Sequence, residues 1–207
     1  MRTLILALAA TLGLAAPAAA DEIVVAGGCF WCVEHDFERV RGVSEAVSGY
    51  TGGNTASPTY KQVTSGRTGH YEAVRIDYDA ARISARQLYD MFFRSVDPTD
   101  AGGQFCDRGD SYRTAIFVGS DADRRAAEAA KAAAEAALGQ TIVTPILPLA
   151  DFYDAEDDHQ DYAKGTGRVL TLFGWITQAD AYKRYRDACG RDQRVKELWG
   201  DAAPFTG

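Results

Sequence analysis

Residues 22–40 read EIVVAGGCFWCVEHDFERV, and no other stretch constrains the fold as tightly. Ile23 to Ala26 suits a buried strand, and Gly27 and Gly28 suit a tight corner. Val33, Phe37 and Val40 then recur on one helical face, with Glu34, Asp36 and Glu38 expected outside. The chain must turn from strand to helix at a point that carries two thiols and two aromatic rings.

Similar signals mix strands and helices further along. Glu72 to Tyr78, EAVRIDY, alternates so that Glu72, Val74, Ile76 and Tyr78 share a side. Ser84 and Gln87 have capping-box spacing ahead of LYDMFFRSV, so a helix starts there. Tyr112 to Val118 reads as a strand, and Ser120 opens an alanine-rich helix that stops near Gly139. TIVTPILPL follows as an edge strand, because Pro145 has no N–H to give to a ladder. The last quarter reads as helical or irregular. Between these elements lie SGYTGGNTASPTYKQVTSGRTGHY, DPTDAGGQFCDRGDSY and DFYDAEDDHQDYAKGTG. Long polar loops of this kind in a compact domain usually serve a site.

Upstream, residues 1–20 carry one charge at Arg2, an apolar middle and the small-residue end Ala18-Ala19-Ala20, the pattern of a cleaved secretory signal. The run is short of the ~20 apolar residues a span needs. The expectation is an exported, periplasmic protein with no membrane span in its mature part, residues 21–207. That part is read as one domain, with a core over about 22–165 and a helical extension over about 166–207. With 22 basic and 29 acidic side chains, the surface argues against nucleic acid as a partner. Four cysteines, Cys29, Cys32, Cys106 and Cys189, are too few for a disulfide scaffold and still need explaining in an oxidising compartment.

Cys29 stands where a helix dipole and free N–H groups favour negative charge, which is expected to lower its thiol pKa and make it a nucleophile. A thioredoxin-like Cys-x-x-Cys dithiol, with Thr144-Pro145 facing it, uses the same corner but leaves the long polar loops without a task. Zinc held by Cys29, Cys32, Cys106 and one of His35, His70 or His159 lacks a second closely spaced ligand pair. Haem attachment fails, since Val33 occupies the position of the required histidine.

GGCFWCVEHDF, GYTGG, PTYKQV, TGHYEAV, VDPTD, QFCDRGDSYRTAIF and FYDAEDDHQDY, in this order, resemble the signature blocks of the A-type peptide methionine sulfoxide reductases. The resemblance implies an α+β fold, a two-layer sandwich around a mixed sheet with a ferredoxin-like core. It implies Cys29 as nucleophile, Phe30 and Trp31 as the pocket for the substrate's S-methyl group, and Glu72 as the acid beside the sulfoxide oxygen. Tyr60 and Tyr112 match two tyrosines that hydrogen-bond that oxygen, and Asp107 matches an aspartate of the same pocket. His70 and His159 also sit in matching blocks. The implied activity is thiol-dependent reduction of methionine S-sulfoxide, free or in proteins, as repair of oxidised exported proteins. It uses no bound cofactor or metal, and a thioredoxin-like donor supplies the electrons.

Independently of the match, Glu72 leads an apolar strand face. Burial there would raise its pKa and keep a proton available. Two features depart from the family pattern. Many members have glycine in place of Cys32, and many carry recycling cysteines in a glycine-rich tail, whereas Cys189 lies in the charged segment YRDACGRDQRVKELWG. The candidates to resolve an oxidised Cys29 are Cys32, Cys189 and Cys106. Proximity favours Cys32; Cys189 would need the C-terminal segment to fold back over the site, and a structural Cys106–Cys189 bridge is the alternative use of that pair.

Overall fold

The computed structural model describes residues 21–206, so the proposed signal segment lies outside the described residues. In chain order the elements are β1 (Asp21–Gly27), α1 (Phe30–Glu38), β2 (Val43–Thr51), α2 (Tyr60–Thr64), β3 (Tyr71–Tyr78), α3 (Ala85–Phe93), the two-residue strands β4 (Gly103–Gln104) and β5 (Asp107–Arg108), and β6 (Thr114–Val118). They continue with α4 (Asp121–Leu138), β7 (Ile146–Pro148), β8 (Tyr153–Asp154), β9 (Arg168–Thr171), β10 (Gly174–Thr177), α5 (Gln178–Ala188) and α6 (Arg191–Trp199).

Six strands form one sheet in the order β7-β6-β1-β3-β2-β8, antiparallel throughout except for the parallel β6–β7 pair. This is the expected mixed sheet, and its two faces divide by the period-2 alternation of β1. Ile23 and Val25 point into a core with Val33 and Phe37 of α1, Leu88 and Phe92 of α3, the alanines of α4, and Val195 and Trp199 of α6. Val24 and Ala26 point the other way, to Tyr71, Ala73, Ala115 and Phe117, under Leu147, Leu149 and Phe152. Helices therefore cover one face, and strand-end and loop residues cover the other.

Local chemistry sets the boundaries. Gly28 has φ 82°, and a Cβ there would stand 2.6 Å from Gln104 Cβ, so the corner needs glycine twice over. Ser84 and Gln87 form the expected capping box of α3. Ser120 caps α4, and Gly139 ends it in the left-handed conformation. Pro145 precedes β7, which lies at the sheet edge as expected. Among the described residues no helix is long and apolar enough to cross a membrane.

Three sequence expectations change. SGYTGG does not begin a loop: Ser48 to Thr51 complete β2, a central strand paired with β3 and β8. Glu34 and Asp36 are not outside but 3% and 1% exposed, because each finds a distant partner. Ser48 Oγ and the Asp161 N–H donate to Glu34 at 2.8 and 3.0 Å, and Arg186 donates to Asp36 at 3.0 and 3.3 Å. The C-terminal segment is not wholly helical or irregular, for β9 and β10 make a separate hairpin ahead of α5.

Candidate active site

The site is built where β1 ends. Cys29 is the N-cap of α1, half-buried, and Cys32 one turn on is buried, its N–H bonded to Cys29 O at 3.1 Å. The register that pairs Val25 with Val74 places Glu72, two residues earlier on β3, beside this corner. There Glu72 Oε2 accepts the Phe30 N–H at 3.1 Å, and Oε1 is buried with no protein partner. Burial pushes the Glu72 carboxyl up to about 8, only partly offset by the Phe30 N–H. At neutral pH it holds a proton.

Tyr60 opens α2, and Tyr112 closes the short 3-10 turn Asp110–Tyr112. Both phenols are pushed up, by burial first and by the nearby Glu72 next, so both remain hydrogen-bond donors. Asp107, on β5, is half-buried and raised by the same burial.

The two thiols divide the charge in a way the helix-terminus argument missed. Cys29 is raised well above its ordinary value, first by its side-chain hydrogen bond with Cys32 and then by burial and the Glu72 and Asp107 carboxyls. The same bond lowers Cys32 to about 7 against burial, with the Arg191 and Arg186 guanidiniums adding to the effect. Within the pair the shared hydrogen bond thus pushes Cys29 up and Cys32 down.

Cys29, Trp31, Cys32, Tyr60 and Asp107 line one cavity of about 390 Å³. Phe30 lies beneath it, 1% exposed, its ring 6.1 Å from that of Tyr60. Trp31 stacks on Tyr162 at 3.7 Å with the rings nearly parallel, and His159 stacks on Tyr60 at 4.1 Å. His70 belongs elsewhere. It accepts the Gly53 N–H at Nδ1 and bonds Thr55 O through Nε2, so it braces the loop after β2.

The C-terminal segment does fold back over the site. Cys189, the C-cap of α5, is disulfide-bonded to Cys106, and both line the cavity. That bond removes Cys106 from the zinc set considered above. Arg191, the first residue of α6, is 2% exposed and donates to Gly27 O and Ser95 O, with Nε unpartnered. Its guanidinium lies 4.9 Å from the centre of the Phe105 ring. Sequence reasoning missed Arg186, Arg191, Tyr162 and Glu156, the last of which accepts both the Tyr50 hydroxyl and the Tyr60 N–H at 2.8 Å. The arginines flanking Cys189 were the one available hint, and their surroundings read as a solvated helix.

A thiol pair at a helix start, a buried protonated carboxyl beside it and two phenol donors define a thiol-based oxidoreductase site able to protonate a departing oxygen. The chain belongs to the peptide methionine sulfoxide reductase family, whose model matches residues 21–201. It is 49% identical to peptide methionine sulfoxide reductase MsrA 2 of Caulobacter vibrioides over 97% of this chain and 100% of that protein. With MsrA 2 of Rhizobium meliloti the identity is 46% over 93% and 92%. Among solved structures it resembles Mxr1 from Saccharomyces cerevisiae in reduced form, with TM-score 0.68 and 34% identity, covering 72% of this chain and 87% of that one. Methionine sulfoxide reductase A of Corynebacterium diphtheriae gives TM-score 0.64 and 33% identity, covering 72% and 76%.

Proposed function

We propose that this chain reduces methionine S-sulfoxide, free or in proteins, with Cys29 as nucleophile and Glu72 as acid. Cys29 sulfur attacks the sulfoxide sulfur, and its proton has Cys32 as acceptor across their shared hydrogen bond. Glu72 gives its proton to the sulfoxide oxygen, with Tyr60 and Tyr112 donating hydrogen bonds to the same atom. Collapse releases the thioether and leaves Cys29 as a sulfenic acid. Cys32 then condenses with it, forming a Cys29–Cys32 disulfide and water. A dithiol donor reduces this bond, becoming a disulfide itself, so that one sulfoxide and one dithiol give one thioether, one water and one disulfide.

The observation that carries this reading is Glu72: a carboxyl nearly out of solvent, protonated at neutral pH, and anchored to the peptide next to the nucleophile. A general dithiol exchange protein has no use for that acid. The thioredoxin-like donor is supported by a solved complex of Mxr1 with Trx2, to which this chain is 27% identical with TM-score 0.51. Export to the periplasm and repair of oxidised proteins there rest on the signal-like residues 1–20, and a Cys106–Cys189 bridge suits an oxidising compartment. Single-turnover assays on separated sulfoxide epimers test the reaction. Turnover of the S epimer that depends on Glu72 is expected, and equal rates on both epimers would sink the assignment of a fixed methyl pocket and acid.

A further inference from the structure

The β9–β10 hairpin has two unlike faces. Val169 pairs with Ile176, and Leu170 with Trp175, so the two pairs point to opposite sides of the ribbon. The first pair packs on Cys32, Tyr162, Ala181 and Tyr182, which anchors the hairpin to the wall of the site. The second pair faces solvent: Leu170 is 75% exposed and Trp175 57%, and Leu172 in the turn is 92% exposed. Core packing accounts for the inner face only. Large apolar side chains grouped on the outer face of one short ribbon mark a contact surface more often than a neutral one.

The hairpin is a built element. Arg168 Nη2 donates to Trp175 O at 2.6 Å, Thr171 Oγ1 to Gly174 O at 3.0 Å, and the Arg184 guanidinium covers the Phe173 ring at 5.5 Å. Its position decides what the outer face meets. Val169, Leu170 and Thr171 line the cavity that holds Cys29, so of the outer apolar side chains Leu170 borders the reaction chamber directly and Trp175, its cross-strand partner, stands next to it.

We infer that Leu170, Leu172 and Trp175 form a docking ledge for apolar side chains that flank a methionine sulfoxide residue in an unfolded segment of a protein substrate. The inference rests on the reductase reading above. When such a residue enters the chamber, its neighbours two or three positions away lie about 7–10 Å off along an extended chain, within reach of a ribbon that borders it. Their character follows from where methionine occurs. It is a core residue, and its oxidation disrupts cores, so segments that need repair expose apolar neighbours.

The test compares kcat/KM for free methionine S-sulfoxide, for a peptide with the sulfoxide flanked by leucines, and for the same peptide flanked by serines. Dithiothreitol serves as reductant, so that no protein donor has to dock. The wild type is expected to prefer the leucine peptide over the serine peptide by roughly 10-fold, the scale of partly burying one or two such side chains. The Leu172→Ser/Trp175→Ser variant should reduce that preference to less than about 2-fold and leave the free amino acid unchanged. The ledge is overturned if the wild type shows no preference, if the variant keeps it, or if all three substrates fall together. Parallel assays with thioredoxin in place of dithiothreitol, and the solution mass of wild type and variant, read the other occupants: impairment only with the protein donor, or loss of a dimer as the one change, also overturns the ledge. A wild type inactive on all three substrates would remove the reductase reading, and the ledge with it.

Discussion

Glu72 Oε2 accepts the N–H of Phe30, the residue that follows Cys29, at 3.1 Å. This single bond fixes the Glu72 carboxyl of β3 against the helix that carries the thiols. It also orients the carboxyl so that Oε1, buried and unpartnered, is the atom left to meet a sulfoxide oxygen. Glu72→Gln keeps the shape but cannot give a proton, so the reductive step should slow by roughly 10²-fold. A first turnover equal to wild type in stopped-flow would move the acid elsewhere.

The pH profile of that step follows from two groups. The Cys29–Cys32 pair must lose a proton, with Cys32 near 7, so the rate rises through that range. Glu72 must keep one, with a pKa of about 8, so the rate falls above it. Glu72→Gln should therefore lose the alkaline limb and retain the acid one. Stability carries the same signature. Folding raises this carboxyl from 4.5 to about 8, so the folded state holds a proton that the unfolded state has released. Stability falls as pH rises from about 4.5 to about 8 and is level above, and denaturant midpoints of the variant should lack that part of the decline.

Cys29→Ser should lose reduction while keeping the fold, because a hydroxyl is a far weaker nucleophile at neutral pH. Residual turnover above about one per cent of wild type would transfer the role to Cys32.

Much of this architecture was legible because its signals are local. The Gly27-Gly28 corner, the Ser84/Gln87 box, the Ser120 cap, the Gly139 stop and the Pro145 edge each depend on residues a few positions apart. The burial of Glu72 was legible too, since it shares a period-2 face with Val74 and Ile76. What was not legible is non-local. β2 reads VSEAVSGYT, half polar, and is a strand because β3 and β8 pair with it. Asp36 reads as surface until Arg186, 150 residues on, reaches it. The expected low pKa at Cys29 came from the helix start alone and omitted the Cys32 hydrogen bond and the two carboxyls across the corner.

Arg186 gives a stability test of that long-range contact. It is 10% exposed and donates to Asp36, Asp192 and the Tyr182 hydroxyl. Arg186→Leu strands a nearly buried carboxylate, and Arg39, still 3.0 Å from Asp36 Oδ1, relieves only part of the cost. A loss of roughly 3 kcal/mol is expected, toward the low end for breaking a buried pair. Adding Asp36→Asn should return part of it, as urea titrations of the single and double variants would show. Because Arg186 also lowers Cys32, alkylation of that thiol should shift to higher pH in Arg186→Leu. An unchanged alkylation profile would mean that the guanidinium acts on packing alone.

The last prediction concerns which thiol resolves Cys29. Cys106 and Cys189 are bonded to each other with Cα atoms 4.9 Å apart, which leaves Cys29 and Cys32 as the free pair. Cys32 has position, one helical turn away, and a thiol pKa lowered to about 7, so it readily releases the proton it takes from Cys29 and can attack a sulfenic acid formed beside it. Cys32→Ser should therefore reduce one equivalent of sulfoxide and stall, with Cys29 trapped as a sulfenic acid that a dimedone probe captures by mass spectrometry. Cys189→Ser should keep cycling with a thioredoxin-type donor. It should also lose about 2–4 kcal/mol of stability, because the bridge closes a loop with a sequence separation of 83. These two variants separate a resolving thiol from a structural one. If the trapped species appears in Cys189→Ser and not in Cys32→Ser, electrons enter through the C-terminal bridge, and Cys32 only tunes its neighbour.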